Sequence, residues 1–490
     1  MERLYVLSQA EDEAKSPLYV RGGRLGADLA QGQVLDLCTY FNSFSLAKWR
    51  RYTTLASLVM ELELAGTFQI AFFLYDAKGR REICQEQAAA GIYRHEFAVA
   101  ELDGVLLGCE LTALSEGSCC QGGAYLGEFA DYRSIRIGVG ICTFKREEYV
   151  RRTIRVLQDM REQGAAWLET LVVDNGRTLE AVDKPGLRIV MNRNFGGSGG
   201  FTRAMLEYVA RGGVDYVLLM DDDIVLEPTV LQRSYALLSG LREDYRESFL
   251  AGAMLSLERP AIQHENTAYW DKIRRQPIGK GLDLSAAANL VANEEEAEAV
   301  NRYGAWWYCC LPLPRIRELG YSLPLFIKGD DIEYSLRNRR PLMTMDGIGV
   351  WHQDFAGKMS PVVNYYSDRG MLMLNDFAEG CGWLTYAVSV LGRLARSLRR
   401  GRPDVKMFAL ALRDFDAGFE EMTQVGADEK MASLGAYAKE AASPFVMLEA
   451  LGRSFLSIAR YPLTRRRHRD FREKQLRDGA FWKRYLGLEA

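Results

Sequence analysis

The chain has 490 residues, enough for about three domains at roughly 100–200 residues each, and is 48% hydrophobic and 26% charged. Those proportions exclude a disordered, collagen-like or multispanning membrane protein and require substantial buried cores. Sixty-two Lys and Arg against 65 Asp and Glu leave a net charge of −3. That is too little to gather nucleic acid, so no nucleic-acid partner is expected and an anionic ligand must be held locally.

The nine cysteines include two adjacent pairs, Cys119–Cys120 and Cys309–Cys310, and no CxxC unit, which argues against a zinc ribbon or a disulfide framework. The N-terminus lacks a basic segment followed by an apolar one, predicting no secretory signal and reduced thiols in the cytoplasm. The longest apolar stretch, Trp383 to Leu391, is about half of the ~20 residues that a membrane-spanning helix needs.

Residues 1–132 are expected to form an antiparallel β-sandwich. Leu58, Met60, Leu62 and Leu64 alternate with Glu61 and Glu63, the period-two pattern of a half-buried strand. Short apolar runs at Phe68–Tyr75, Glu96–Ala100 and Gly104–Leu111, separated by Gly, Asp and Lys turns, continue it. His95 stands without a clustered partner in sequence and is read as structural.

From residue 133 to about 370 buried strands alternate with amphipathic helices. Strands are predicted at Ile135–Cys142, Leu171–Val173, Leu187–Met191 and Tyr216–Met220, with helices at Glu147–Gln163 and Phe201–Ala210. This is the pattern of an α/β domain with a mainly parallel sheet covered on both faces. Residues 371–490 are expected to be mostly helical and basic. Trp383, Leu384, Tyr386, Val390, Leu391 and Leu394 beside Arg393, Arg396, Arg399, Arg400 and Arg402, together with Arg465–Arg469, make this region a candidate for peripheral contact with lipid headgroups.

In an open α/β sheet, ligands bind beyond the carboxyl ends of the strands. There this chain places Thr143-Phe144-Lys145-Arg146, Asp174-Asn175-Gly176, Asn194-Phe195 followed by Gly196-Gly197-Ser198-Gly199-Gly200, and Asp221-Asp222-Asp223. One rim thus offers an aromatic, amides and carboxylates for a base and ribose, and a glycine-rich helix start (Gly196, Gly197) for phosphates. No Gly-Lys-Ser/Thr follows the glycines and no GxGxxG closes the first strand, which disfavours a P-loop NTPase and a Rossmann dehydrogenase. Side chains two apart on an extended segment share a face. Asp221 and Asp223 can therefore hold Mg²⁺ or Mn²⁺ together, with Asp222 turned the other way.

Downstream, His352 in Trp351-His352-Gln353-Asp354-Phe355 could complete the metal site. The pair Asp330-Asp331 supplies a carboxylate base for an acceptor hydroxyl. Trp306-Trp307 is either core or a platform for a sugar ring.

Taken in order over residues 134–370, these motifs resemble family 2 glycosyltransferases, and more narrowly the polymerising galactofuranosyltransferases that use UDP-galactofuranose. The resemblance implies a glycosyltransferase A-type (Rossmann-like) domain flanked by the β-sandwich and the helical region. It implies donor contacts from Phe144, Arg146, Asn175 and Asn194, to which the rim adds Thr143, Asp174, Gly196, Gly197 and Asp222. It implies a divalent ion on Asp221, Asp223 and His352, a general base at Asp331 beside Asp330, and acceptor contacts from Trp306 and Trp307.

The expected reaction is an inverting, metal-dependent transfer of galactofuranose to a hydroxyl of a growing, lipid-linked or free cell-surface glycan, carried out in the cytoplasm or at the inner membrane face, with a homo-oligomer as a candidate assembly. A transferase using dTDP-rhamnose or UDP-galactopyranose, or a glycan-binding protein with an inactive transferase domain, are the alternatives.

Overall fold

The computed structural model describes residues 1–295, 298–354, 359–424 and 426–488. Phe355 of the sequence cluster around His352 lies outside them. The N-terminal unit is built from two four-stranded antiparallel sheets. One runs Glu2–Val6, Cys119–Phe129, Leu55–Ala65, Gly91–Ala98; the other runs Val34–Asp36, Leu106–Ala113, Phe68–Asp76, Gly79–Ala88. Leu58, Met60 and Leu62 are buried while Glu63 is exposed, as period two requires. Phe72 of one sheet meets Phe97 of the other edge to face, their ring centroids 5.0 Å apart, so the sheets form a sandwich. The strands expected at Glu96–Ala100 and Gly104–Leu111 lie at Gly91–Ala98 and Leu106–Ala113.

This sandwich braces the next unit. Buried Arg233, on helix Pro228–Ser239, donates to the carbonyl of Phe41 at 2.5 Å. Tyr19 donates to Glu227 at 3.0 Å, and the rings of Phe41 and Tyr19 lie 5.4 and 6.4 Å from that of Trp351. The strand that carries His352 is thus backed by aromatic groups from the sandwich.

The central sheet has seven strands in the order Val182–Lys184, Leu187–Met191, Leu168–Asp174, Ile137–Thr143, Tyr216–Asp221, Tyr308–Pro312, Leu250–Ala251. Leu187–Met191, Leu168–Asp174, Ile137–Thr143 and Tyr216–Asp221 are parallel neighbours; the flanking strands are antiparallel. Runs such as Leu171-Val172-Val173 and Val217-Leu218-Leu219 are buried throughout because helices cover both faces. The second and third parallel strands lie on one side of Ile137–Thr143 and the fourth, Tyr216–Asp221, on the other. The order reverses between these two strands, where a crevice opens at their carboxyl ends.

The last part is helical: Pro361–Phe377, Trp383–Arg400, Arg402–Ala417, Ala427–Lys439, Val446–Gln475 and Ala480–Leu486 are its main helices. The break expected at residue 370 falls inside the first of them. That helix ties both halves together, Arg369 donating to the carbonyl of Leu325 at 2.7 Å and Tyr365 to Asp414 at 2.5 Å. Among the described residues no helix is long and apolar enough to cross a membrane.

The basic run expected to face lipid is largely used inside the fold. Arg469 donates to the carbonyl of Asp376 at 2.7 Å, Arg467 to that of Ala417 at 2.9 Å, and His468 is buried against Asp376. Tyr386, Val390, Leu394 and Arg393 are buried too. Trp383, Leu384, Val388 and Leu391 are left outside, and on the long helix Leu448, Leu451 and Phe455 are exposed as well. Trp383 joins the two helices by donating to the carbonyl of Ile458 at 2.8 Å.

Candidate active site

Both strands that flank the crevice end in polar residues, and a hydrogen bond joins them: Thr143 donates its hydroxyl to Asp222 at 2.7 Å. Asp222 also receives Arg146 at 3.2 Å. Its carboxylate thus reaches the neighbouring strand end; the strand stops at Asp221, and the turn at Asp222 and Asp223, not the expected extended alternation, sets the directions of these side chains.

Antiparallel bridging of Val225 to Trp351, with the amide of Val225 on the carbonyl of Trp351 at 2.8 Å, brings strand Gly349–His352 beside the triplet. His352 Nε2 then lies 3.0 Å from Asp223 Oδ1, and ligand atoms of Asp221, Asp223 and His352 all lie within 4.8 Å of one another.

Burial raises the Asp221 carboxyl to about 7, His352 pulls it down, and the charges of Asp223 and Asp222 push it up again. For His352, burial works downward, but the hydrogen bond to Asp223 and the charge of Asp221 hold it above its ordinary value. The raised carboxyl of Asp221, the carboxylate of Asp223 beside it and a histidine within ligand distance form a donor set that a divalent cation fits. Arg146, 2.5 Å from Asp223, supplies positive charge meanwhile.

The second and third strand ends serve differently from expectation. Asp174 is fully buried, and its carboxylate accepts the amides of Gly176 at 2.8 Å and of Thr178 and Leu179 at 2.7 Å each. Its acceptor capacity goes into closing its own loop, so it is not a donor contact. Asn175 is likewise committed: Nδ2 donates to the carbonyl of Gly196 at 3.0 Å and Oδ1 accepts from Asn192 at 2.8 Å. Asn194 accepts the amide of Gly196 at 3.0 Å. Charge-assisted hydrogen bonds contribute about 1.5–3 kcal/mol each, so Asp174→Ala is expected to destabilise the protein by several kcal/mol. Thermal unfolding checks this, and an unchanged midpoint contradicts it.

The glycine run forms the first turn of helix Gly196–Arg211 instead of a loop before it. Gly196 has φ +68°, and a Cβ there would lie 2.1 Å from the carbonyl oxygen of Phe326; at Gly200 it would lie 2.1 Å from the Cys142 sulfur. Amides of Gly196, Ser198 and Gly199 are taken by Asn194, Phe326 and Phe195. These glycines permit close packing more than they offer open amides, which corrects the phosphate role expected of Gly196. Gly197 keeps space, a Cβ there meeting nothing nearer than 3.8 Å. Phe144 is 44% exposed at the rim, an open ring face for a base.

The same packing brings in the acidic pair. With Phe326 seated on the glycine turn, the segment that follows delivers Asp330 and Asp331 to the start of helix Asp330–Asn338. Burial raises the Cys142 thiol, and the charges of Asp222, Asp221 and Asp330 add to the rise, so the triplet and the pair act on one buried group. Burial, then the charge of Asp331, pushes Asp330 up to about 8. Asp331 is also raised by burial, against which its helix amides, Lys328 and Arg275 work. Two adjacent buried carboxyls resist ionising together, so the pair titrates as a unit.

Because the folded value of Asp330 exceeds its unfolded 3.8, the stability that this group contributes is complete below about pH 4 and is lost as pH rises through about 8. Metal-free Asp330→Asn is therefore expected to exceed the native chain in melting temperature by a margin that grows toward pH 9. A margin independent of pH contradicts this.

Three residues that sequence reading missed lie within the electrostatic field of Asp331. Glu265 receives Arg275 at 2.8 Å, and Arg275 reaches Tyr303 at 3.2 Å. Burial raises the Glu265 carboxyl to about 7, Arg275 opposing and Asp331 adding to the rise. They come from short strands Gln263–Glu265, Arg274–Pro277 and Arg302–Tyr303, too brief to carry a periodic signal. The expected indole platform is not open: Trp306 and Trp307 are only 4% and 5% exposed. Trp306 packs on Phe201 and Tyr334, and Trp307 donates to the carbonyl of Gly252 at 2.9 Å.

A switch-point crevice lined by an acidic triplet and an acidic pair defines a glycosyltransferase A-type α/β domain, and residues 138–245 match the family model described as glycosyl transferase family 2. Residues 1–117 match the model of the N-terminal part of galactofuranosyltransferase 2, so the first two units of the chain resemble those of family 2 galactofuranosyltransferases.

Its relatives include galactofuranosyltransferase GlfT2 of Mycolicibacterium smegmatis, 28% identical over 68% of this chain and 56% of that one. Another is GlfT2 of Mycobacterium tuberculosis, 28% identical over 66% and 55%. The chain thus matches little more than half the length of these curated relatives. Similar solved structures include GalNAc-T7 with UDP, GalNAc and Mn²⁺ (TM-score 0.35, 11% identity, 51% of this chain and 49% of that). Mannosyltransferase PcManGT from Pyrobaculum calidifontis with GDP-Man and Mn²⁺ is a second (TM-score 0.34, 15% identity, 68% and 88%).

Proposed function

We propose that this protein transfers galactofuranose from UDP-galactofuranose to a hydroxyl of a growing cell-surface glycan, with inversion at the anomeric carbon. The observation that supports the reading is the cation-fitting cluster at Asp221, Asp223 and His352, with the raised carboxyl pair Asp330 and Asp331 acting on the same buried thiol as the triplet. The choice of sugar rests on the likeness to galactofuranosyltransferases.

Phe144 stacks on the uracil and Arg146 meets the diphosphate. Thr143, Asn175, Asn194 and Asp222 hold the strand ends in register. Asp221, Asp223 and His352 would hold Mn²⁺ or Mg²⁺, which would supply positive charge for the departing diphosphate. Asp331, with Oδ1 fixed by the amide of Ile332 at 2.8 Å, takes the acceptor hydroxyl proton on its other oxygen. As that proton leaves, the acceptor oxygen bonds to the anomeric carbon and the bond to UDP breaks. Asp330 keeps its proton and limits charge repulsion within the pair.

A panel of UDP-galactofuranose, UDP-galactopyranose and dTDP-rhamnose with a galactose-containing acceptor tests the donor. Turnover selective for the furanose is expected; preference for another sugar overturns the donor and keeps the reaction class.

The apolar stripe of Trp383, Leu384, Val388 and Leu391, followed by exposed Arg396, Arg399 and Arg400, supports peripheral contact with an anionic bilayer. Salt-sensitive co-flotation with anionic vesicles is expected, and its absence contradicts membrane contact.

A further inference from the structure

The sandwich holds a cluster that the transfer reaction does not use. Strands Gly79–Ala88 and Gly91–Ala98 are consecutive in sequence, yet each is the edge of a different sheet. A register shift in the first, between its pairings to Phe72 and Phe73, leaves Ile83 unpaired and sets Cys84 opposite Phe72. Such bulges re-aim the side chains beside them. The ring of Phe72 lies 4.9 Å from that of His95 on the opposing sheet, so Cys84 and His95 face each other across the open side of the sandwich. The reading of His95 as a residue without partners is therefore corrected: pairing geometry supplies what sequence spacing hid.

Between them stands Glu86. Its Oε1 lies 3.1 Å from His95 Nδ1 and 3.5 Å from Cys84 Sγ, and ligand atoms of the three residues all lie within 4.8 Å of one another. Its second oxygen accepts the hydroxyl of Tyr93 at 2.9 Å. A tetrahedral ion with bonds of about 2.0 Å to N and O and about 2.3 Å to S sets N···O near ~3.3 Å and S···O near ~3.5 Å. Those separations match the observed ones.

We infer that Cys84, Glu86 and His95 form a second metal site, of the borderline transition-metal class with Zn²⁺ as the fitting ion, which clips the two open sheet edges of the sandwich together. The donor set supports this class. A thiolate with an imidazole and one carboxylate suits Zn²⁺, whereas the Asp221–Asp223–His352 set, with two carboxylates, suits harder ions. Three protein ligands leave a fourth position for water, and the Glu86 side chain is 43% exposed, so the ion has an entry path. On binding, the Cys84 thiol gives up its proton to solvent, the His95 Nδ1 lone pair turns to the ion, and Tyr93 keeps Glu86 oriented, as supporting partners of metal ligands do. The site ties together strands distant from the acidic triplet, so its role is structural.

Co²⁺ is the probe, because only thiolate ligation gives an intense sulfur-to-cobalt charge-transfer band. Titration of the chelator-treated full chain is expected to produce that band, saturating at one equivalent. Asp223→Asn should keep it, Cys84→Ser should abolish it, and His95→Ala should weaken Co²⁺ binding by at least the roughly 10–100-fold that losing a supporting partner costs. Both of the latter changes lie on edge strands of the sandwich, and circular dichroism verifies that each variant folds. A native chain without the band, a band that survives Cys84→Ser, or undiminished affinity in His95→Ala overturns the inference.

Discussion

Asp331→Asn is expected to lower turnover by about 10²–10⁴-fold, the range that general-base catalysis contributes, while UDP still binds. The amide keeps the shape of the carboxylate and its contact with the helix amide but cannot accept the acceptor's proton. Burial raises the Asp331 carboxyl and so makes it a stronger base than an exposed aspartate. Glu265 and Arg275 nearby set the field in which it titrates. Single-turnover measurement of sugar transfer, paired with calorimetric titration of UDP, separates the two effects. Turnover within a few-fold of native would remove Asp331 from the chemistry, and loss of UDP binding would make it a donor-site residue.

Asp223→Asn is expected to abolish the metal dependence of donor binding. Asp223 lies 3.0 Å from His352 through one oxygen and 2.5 Å from Arg146 through the other. It therefore joins the cation cluster to the guanidinium that meets the diphosphate. Removing its charge lowers metal affinity by at least the roughly 10–100-fold seen on losing a supporting partner. It also frees Arg146 from one of its two carboxylates. Titration of UDP with and without Mn²⁺ should show a difference in the native chain and none in the variant. An unchanged metal effect would place the cation elsewhere.

The crevice was legible in the sequence because its strands are. Leu187–Met191 falls where apolar content sets it, and Tyr216 begins its strand as expected. Each buried parallel strand carries a continuous apolar run whose end marks the rim. The acidic triplet was legible because it closes such a run; Asp222 goes to Thr143 and Asp221 and Asp223 stay with His352, through a turn after Asp221 that the expected alternation did not include.

What composition and spacing could not reveal is which polar groups are already occupied. Asp174 and Asn175 look like donor contacts until their loop amides and Gly196 are seen to consume them. The glycine run reads as a phosphate cradle until Phe326 and Cys142 are found where its side chains would be. Trp306-Trp307 reads as core on residue type and as a platform by its place among the motifs, and only long-range packing places both in the interior. Glu265, Arg275 and His95 were missed or misread because their partners come from strands that meet only through tertiary pairing.

Sugar transfer from UDP-galactofuranose to a galactose-containing acceptor, followed as UDP release before and after chelation of divalent ions, tests the central claim most directly. The account predicts turnover that disappears on chelation, returns with Mn²⁺ or Mg²⁺, and does not return in Asp223→Asn. Turnover unaffected by chelation would contradict the role given to Asp221, Asp223 and His352. UDP bound with Mn²⁺ but never released from any nucleotide sugar would contradict the transferase itself.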